Sequence, residues 1–115
     1  VIQGGGYYPN GTLKQSPYGT IKLEINPKLT HVDGAVGMAR SSQPDSATSQ
    51  FYICDGPQHF LDGNYAVFGK VIEGMEVVRA IASLDPAHTY TRGIFEHWPK
   101  DEIIHNVTIT RIYIE

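Results

Sequence analysis

Five histidines and one cysteine are the residues that could bind a metal or act as nucleophiles, but their spacing favours neither role. The histidines form no HxxH, HExxH or CxxC pattern, so they are predicted to be surface or loop residues, and no metal site is predicted. Cys54 lies in the apolar run FYIC, where burial would raise the pKa of its thiol and keep it protonated. A nucleophile and base pair of Cys54 and His59 is therefore not expected.

The three consecutive glycines at residues 4–6 could form a phosphate-binding loop, but their surroundings argue against it. No GK[ST] follows them, and no helix is predicted to begin there. We expect instead that these glycines let the backbone turn sharply, with positive φ, at the end of a strand. No cofactor is predicted.

The remaining candidates are amide and aromatic side chains without a nucleophile among them. They are Gln3, Gln50, Phe51, Tyr52, Phe60 and Tyr65, with small residues such as Ala39 and Ser41 between them. Aromatic rings can hold an apolar ring of a peptide while amides bind its backbone carbonyls, so this set suits an extended peptide. On periodicity alone, the interpretation of Phe51 and Phe60 as simple core residues ranks ahead.

The composition is that of one ordinary globular domain, predicted to span residues 1–115. The 115 residues are 41% hydrophobic and 18% charged, enough for a core without disulfides. Nine Lys and Arg against twelve Asp and Glu give a net charge of −3, without runs of like charge, so nucleic acid is not an expected partner. No apolar stretch approaches the ~20 residues that span a bilayer. The single cysteine weakly favours a reducing compartment, and we expect the cytoplasm.

Short β-like segments separated by Gly, Pro, Asn and Asp predict a mainly all-β antiparallel sandwich or barrel. The predicted strands are residues 1–3, 20–24, 35–39, 50–54, 66–71 and 103–114, of which the last has the clearest alternation. One helix is predicted over residues 73–84, with an apolar face of Met75, Val78, Ile81 and Ala82. Residues 26–32 hold a single helical turn at most, and loops are predicted at 4–19, 41–49 and 85–101.

Four strings make the pattern specific. They are VIQGGG at 1–6, AVGMAR at 35–40, DSATSQFYI at 45–53 and FLDGNYAVFGKVIEGMEVV at 60–78. In this order and spacing the chain resembles a cyclophilin, a peptidyl-prolyl cis-trans isomerase, and is similar to the prokaryotic branch. The resemblance implies a closed antiparallel barrel of eight strands with capping helices, of which 73–84 would be the second.

The resemblance also implies roles for individual residues. Gln3 would hydrogen-bond the substrate backbone near the rotating amide, and Gln3 and Tyr65 are the predicted catalytic residues. Val1, Tyr52 and Leu61 would form the walls of a proline pocket. Arg40 would stand at a backbone-pairing position that is usually Asn. The neighbouring pocket, which binds the residue before proline, would be lined by Ala39, Ser41, Gln50 and Gly11.

Two substitutions distinguish this chain from the commonest family pattern. Tyr65 replaces a His of eukaryotic members, and its hydroxyl can still donate a hydrogen bond. Phe60, also in the substrate groove, replaces a Trp that helps to bind cyclosporin. The loss of the indole N–H predicts weak cyclosporin binding with isomerase activity retained.

The family's catalytic Arg and a pocket Phe belong to an FHR segment that would immediately precede Val1. The first strands and the first capping helix of the family are likewise absent from the sequence. We therefore expect this chain to be the C-terminal portion of a longer isomerase, completed by an N-terminal segment or a companion chain, because an open barrel leaves unpaired edges.

The leading hypothesis is an isomerase that binds X-Pro peptides and flexible protein segments and accelerates rotation about the X-Pro amide, assisting folding. That rotation needs no covalent intermediate, since the barrier of ~18–20 kcal/mol reflects lost amide resonance. Two alternatives stay open: a non-catalytic module that binds proline peptides, in which Arg40 could partly replace the missing Arg, and a structural role through exposed strand edges.

Overall fold

The central element of the fold is an antiparallel sheet of four short strands. The computed structural model describes residues 1–84, 91–92, 101–102 and 107–114. The strands follow the spatial order β1-β3-β2-β4, and each overlaps a predicted strand; they are β1 Ile2–Gly4, β2 Ala35–Met38, β3 Phe51–Ile53 and β4 Val67–Lys70. β1 and β4 are the outer strands, so this sheet is not closed into a barrel within the described residues.

The register of the sheet places one row of residues side by side across three strands. Tyr52 of β3 lies between Gln3 of β1 and Gly37 of β2. Residues paired across an antiparallel ladder project to the same face, so Gln3 and Tyr52 share a face of the sheet. Alternation along β3 buries Tyr52 on that face and leaves Phe51 and Ile53 half-buried on the other.

Two predicted strands are not formed as predicted. Residues 20–24 make only an isolated bridge between Ile21 and Ala47, and the Leu23 N–H donates to a carboxylate oxygen of Asp45 at 2.9 Å. Residues 107–114 form no strand, and Ile114 is 98% exposed. Alternating β-branched residues favour extended backbone, but a strand needs a paired neighbour, and 107–114 has none among the described residues. Residues 103–106 of this prediction lie outside the described residues.

The predicted loops hold some regular structure. β5 Thr91–Arg92 pairs antiparallel with β6 Asp101–Glu102, so the prediction of a loop over 85–101 is wrong at these residues; the rest of it lies outside the described part. Within 4–19, Gly4 belongs to β1 and Tyr7 bridges to Leu13. The expected single turn in 26–32 is confirmed by the Leu29 N–H, which donates to the Asn26 carbonyl at 3.0 Å.

The predicted helix is confirmed in a shorter form, α1 Met75–Ala82. Val78 is buried and Met75 and Ile81 are half-buried, as its apolar periodicity predicts. Ala82, the last residue of α1, is exposed, so its assignment to the apolar face with Met75, Val78 and Ile81 is wrong. No helix within the described residues has the length and apolar character that crossing a membrane requires.

An exposed ion-pair cluster joins α1 to the sheet. The Arg79 guanidinium contacts the Asp33 carboxylate at 2.7 Å and the Asp55 carboxylate at 2.9 Å. Asp33 precedes β2 and Asp55 follows β3, so one side chain of the helix ties the two central strands together at the same end. Because all three side chains are partly exposed, we expect this cluster to orient α1 more than to stabilise the fold.

The core lies on the Tyr52 face of the sheet. Its buried members are Ala35, Ala39, Tyr52, Cys54 and Leu61, and Val1, Tyr65 and Val67 pack against them. Burial raises the pKa of the Cys54 thiol to about 11, which confirms the expectation of a protonated, unreactive cysteine. Leu61 comes from a short 3-10 helix, His59–Leu61, that folds back onto the sheet.

Two glycines are required by close approaches. A Cβ on Gly37 would fall on the ring of Tyr52, so only glycine leaves room for that side chain. Gly5 has φ of 85°, and a Cβ there would collide with the Ser49 carbonyl oxygen. The expectation of a positive-φ turn at residues 4–6 is thus confirmed at Gly5, directly after β1.

Candidate functional site

The site predicted from sequence has a buried centre at Tyr52. Its side chain is 0% exposed, with its ring lying over Gly37 and its edge against the Tyr65 ring at 6.4 Å between centroids. Leu61, the second predicted wall of the proline pocket, is also buried. We call these two buried residues the floor of the predicted groove; the partly exposed Val1 and Tyr65 pack against the core that contains them.

A buried histidine lies beneath Tyr52. His31 is 0% exposed, and its ring stacks on that of Tyr52 at 5.7 Å with an interplanar angle of 14°. Its Nε2 lies 2.6 Å from the Tyr52 hydroxyl, and its Nδ1 lies 2.7 Å from Oδ1 of Asp62. The Asp62 carboxylate also accepts the backbone N–H of His31 at 2.7 Å. We call these three residues, His31, Tyr52 and Asp62, the buried polar chain.

The protonation states in the buried polar chain determine which group donates each hydrogen bond. Burial works to raise the pKa of Asp62, but hydrogen bonds from the His31 backbone and ring and from His59 outweigh it and hold the pKa at about 2. The ionised carboxylate can only accept, so Nδ1 of His31 donates to it. Burial raises the pKa of Tyr52 above its usual range, so its hydroxyl keeps a proton and can donate to Nε2.

His31 is the site residue that the sequence analysis missed. The histidines are predicted to be surface or loop residues; His31 lies in a loop before β2 but is buried and not at the surface, whereas His59 is 56% exposed. His31 is separated from Asp62 by 31 residues and from Tyr52 by 21, so no local spacing reveals the contact. The weak signal was the tyrosine itself, since a hydroxyl on a buried strand position requires a hydrogen-bond partner.

A polar region, which we call the rim, borders the floor near β1 and β3. Its two sides are the pair Gln3 and Gln50 and the pair Arg40 and Tyr65. Gln3 Nε2 donates to Oε1 of Gln50 at 2.8 Å, and both side chains are half-buried. The Ala39 N–H donates to the Gln50 carbonyl at 3.0 Å, which extends the pairing of β2 with β3 and carries Arg40 to the same rim. The structure thus joins Gln3, Ala39 and Gln50 by hydrogen bonds, and Gln3 lies beside Tyr52 in the sheet.

Arg40 and Tyr65 form the other side of the rim. The Arg40 guanidinium lies over the Tyr65 ring, 4.6 Å from its centroid. Its Nη2 and Nε donate to the Asn64 carbonyl at 2.6 and 3.1 Å, and its Nη1 donates to the Ser41 carbonyl at 2.9 Å. The arginine side chain is therefore fixed at the surface beside a predicted catalytic tyrosine.

The other predicted residues are more dispersed. Ala39 is a core residue, Ser41 is exposed in a loop closed by Ser46, and Phe60 is 39% exposed in the 3-10 helix. Gly11 lies in a turn, where its N–H donates to the Tyr8 carbonyl at 2.9 Å, and no other described residue would lie within 4 Å of a Cβ at this position. Its hydrogen bond stays within its own turn, so the structure does not join it to the rim.

A cavity of the described residues lies away from these predicted residues. It encloses about 370 Å³ and is lined by Lys28, Leu29, Val32, Phe68 and Lys70, among others. None of the predicted site residues lines it. We name it the Lys28/Lys70 cavity; no Asn or Gln side chain is among its lining residues, whereas the rim presents two glutamine amides that suit a peptide backbone.

Comparison with known proteins agrees with this arrangement of strands and motifs. The model of the family "Cyclophilin type peptidyl-prolyl cis-trans isomerase/CLD" matches residues 1–114. The chain belongs to the cyclophilin family. A peptidyl-prolyl cis-trans isomerase of Acinetobacter baylyi is 44% identical to this cyclophilin chain over 108 residues, which cover 90% of the chain and 55% of that protein.

Other relatives give the same result. Peptidyl-prolyl cis-trans isomerase A of Dickeya dadantii is 37% identical over 110 residues, covering 90% of this chain and 55% of its own length. A crystal structure of a Cryptosporidium parvum cyclophilin in the presence of the dipeptide Ala-Pro has a TM-score of 0.62 and 37% identity, covering 71% of this chain and 54% of that one. The chain spans about half the length of the curated relatives it matches.

Proposed function

We propose that this chain provides the substrate-binding face of a peptidyl-prolyl cis-trans isomerase, which binds extended X-Pro segments of peptides and flexible proteins. The observation that carries the proposal is the juxtaposition, in a cyclophilin-family chain, of the hydrogen-bonded pair Gln3 and Gln50 with the aromatic floor at Tyr52. A family member crystallised in the presence of Ala-Pro supports the same substrate class.

The chemistry required of such a site is modest. Rotation about an X-Pro bond loses amide resonance at a barrier of ~18–20 kcal/mol, and a site accelerates it by binding the twisted amide more tightly than the planar one. Gln3 would hold the peptide backbone beside the rotating bond, and the Tyr65 hydroxyl would donate a second hydrogen bond. Val1 would close the proline pocket over the buried floor of Tyr52 and Leu61.

The proposal extends to the whole protein. We place the four-stranded sheet within a closed eight-stranded barrel completed by a further segment or chain, which would also provide the catalytic Arg. The partial coverage of the relatives and the outer strands β1 and β4 support this arrangement. The bacterial relatives favour an enzyme of the prokaryotic type. The buried free thiol of Cys54 is compatible with the reducing cytoplasm. Phe60, at a position where cyclosporin-binding relatives have Trp, predicts weak cyclosporin binding.

A protease-coupled isomerisation assay on an Ala-Pro-Phe peptide tests the proposal. We would assay this chain alone and together with the proposed completing segment, each with and without Gln3→Ala. Catalysis that falls at least tenfold in the variant, with unchanged thermal unfolding, is the expected result. Peptide binding without catalysis in any form would instead identify a proline-peptide binding module, and neither binding nor catalysis would favour a structural role.

A further inference from the structure

We propose that Arg40 sets substrate specificity, favouring peptides with a carboxylate side chain at the residue before proline. The inference rests on the proposed function, because it assigns a sequence preference to the same groove. The side chain of Arg40 is held in place by several contacts, and no described carboxylate forms an ion pair with it.

The guanidinium of Arg40 is bound by neutral groups. Its hydrogen-bond acceptors are the backbone carbonyls of Ser41, Ser42 and Asn64, and its face lies on the Tyr65 ring. Across the described part of the chain, no carboxylate lies within 4.0 Å of it, whereas Arg79 contacts two. Carbonyl dipoles and a ring hold the side chain in place, but they leave a full positive charge at the rim.

The loop that provides these carbonyls is itself ordered by hydrogen bonds. The Ser41 hydroxyl donates to Oγ of Ser46 at 2.7 Å, and the Ser46 hydroxyl donates to the Gln43 carbonyl at 2.6 Å. The Ser41 N–H also donates to Oγ of Ser46 at 3.0 Å. Because both the loop and the arginine are fixed before a ligand arrives, little side-chain entropy is lost when an anion binds.

The location of Arg40 indicates which peptide residue would feel its charge. Arg40 follows Ala39, whose N–H pairs with the Gln50 carbonyl, and these residues border the pocket predicted for the residue before proline. Among the described residues, no carboxylate forms an ion pair with Arg40. A glutamate of a bound peptide could therefore provide the carboxylate that pairs with this guanidinium.

Peptides that differ only at this residue test the proposal. We would measure the Kd of fluorescein-labelled Ala-Glu-Pro-Phe, Ala-Gln-Pro-Phe and Ala-Lys-Pro-Phe for the full protein, and the catalysed isomerisation rate of each over its uncatalysed rate. The expected order is Glu, then Gln, then Lys, with Glu about two- to fivefold tighter than Gln at low salt. The preference should disappear in 1 M salt, where the Debye length is about 3 Å.

Variants assign the preference to one residue. Arg40→Gln should reduce the Glu to Gln ratio to one, and Arg40→Lys, which keeps the charge, should retain a ratio above one. Arg111→Gln is the matched control, because Arg111 lies 4.3 Å from the centroid of the Tyr113 ring, another arginine–tyrosine contact; it should leave the ratio unchanged. Thermal unfolding of each variant confirms that it folds.

The outcomes separate the two proposals. If the Gln peptide is bound and isomerised but the Glu to Gln ratio is one, the proposed function stands and the role of Arg40 is wrong. A Glu preference that survives Arg40→Gln or 1 M salt also overturns it. If the peptides bind with the expected ratio but none is isomerised, Arg40 keeps its role and the enzyme proposal fails.

Discussion

The two polar regions of the candidate site differ in what surrounds their hydrogen bonds. In the buried polar chain, His31 and Tyr52 have no exposure, and the contacts between side chains are 2.6 and 2.7 Å long. At the rim, Gln3, Gln50 and Arg40 are partly exposed, and their partners are another amide or backbone carbonyls. The first region positions aromatic rings, and the second remains accessible to a ligand.

This difference has an energetic origin. A hydrogen bond broken at the rim is replaced by one to water or to a peptide, so its net contribution is about 1 kcal/mol. A buried group that loses its partner has no water to replace it, and the full desolvation penalty remains. We therefore expect substitutions in the buried polar chain to affect folding and substitutions at the rim to affect peptide binding.

The largest effect is expected from His31→Leu. It leaves the Tyr52 hydroxyl and the Asp62 carboxylate without their ring partner, which should lower the free energy of unfolding by about 3 kcal/mol. Urea denaturation followed by fluorescence measures the change. His59→Leu is the matched control, since this more exposed ring contacts the same carboxylate and should cost less than about 1 kcal/mol. Equal losses in the two variants would contradict the comparison.

Gly37→Ala should have the next largest effect. The added Cβ would occupy the space of the Tyr52 ring, so the ring must move away from His31, at a cost of about 1–3 kcal/mol. Gly69→Ala is the control, because its Cβ would meet Val36 at an ordinary 3.5 Å. Thermal unfolding of the two variants should differ clearly; an unchanged midpoint for Gly37→Ala would show that the ring is not confined.

Acid should weaken the buried polar chain over a defined interval. The pKa of Asp62 is lowered from 3.8 to about 2 in the folded protein, so its contribution to stability is present in full above about pH 5, decreases below that and is lost as the pH falls through about 2. Asp62→Asn cannot titrate and should remove this part of the acid dependence. Urea midpoints of both proteins between pH 6 and pH 2 provide the measurement, and parallel curves would refute the assignment.

The smallest effect on folding is expected at the rim. Gln50→Ala removes one half-buried amide hydrogen bond and should change stability by less than about 1 kcal/mol. Peptide binding should weaken about three- to tenfold, as expected for the loss of one hydrogen bond. Gln58→Ala is the control, since its amide donates to the Asp55 carbonyl and it has no predicted peptide role. Equal peptide affinities for both variants would argue against a rim site.

The elements that local pattern specifies were predictable, and those that depend on distant partners were not. Periodicity predicts α1 and β2, because their apolar spacing records which face is buried. The alternation in 107–114 is equally clear, yet no strand forms there. A strand also requires a neighbouring strand to pair with, and the alternation does not specify one. His31 was missed for the same reason: its partners come from β3 and from the residue that follows the 3-10 helix.

The residues of the rim could be predicted from the sequence, but the burial of the floor residues could not. Resemblance in the strings around Gln3, Ala39 and Gln50 indicated residues that the structure joins by hydrogen bonds. It also indicated Tyr52 and Leu61 as pocket walls, but not that both would be buried in the core. A sequence motif conveys which residues lie near one another, whereas exposure depends on everything packed above them.

The location of the peptide site is the central claim, and amide NMR tests it most directly. An Ala-Ala-Pro-Phe peptide would be titrated into the 15N-labelled protein while the backbone resonances are followed. We predict saturable shifts at Gln3, Arg40, Gln50 and Tyr65, with little change around the Lys28/Lys70 cavity. Shifts confined to that cavity, or none at the rim at saturating peptide, would contradict the account.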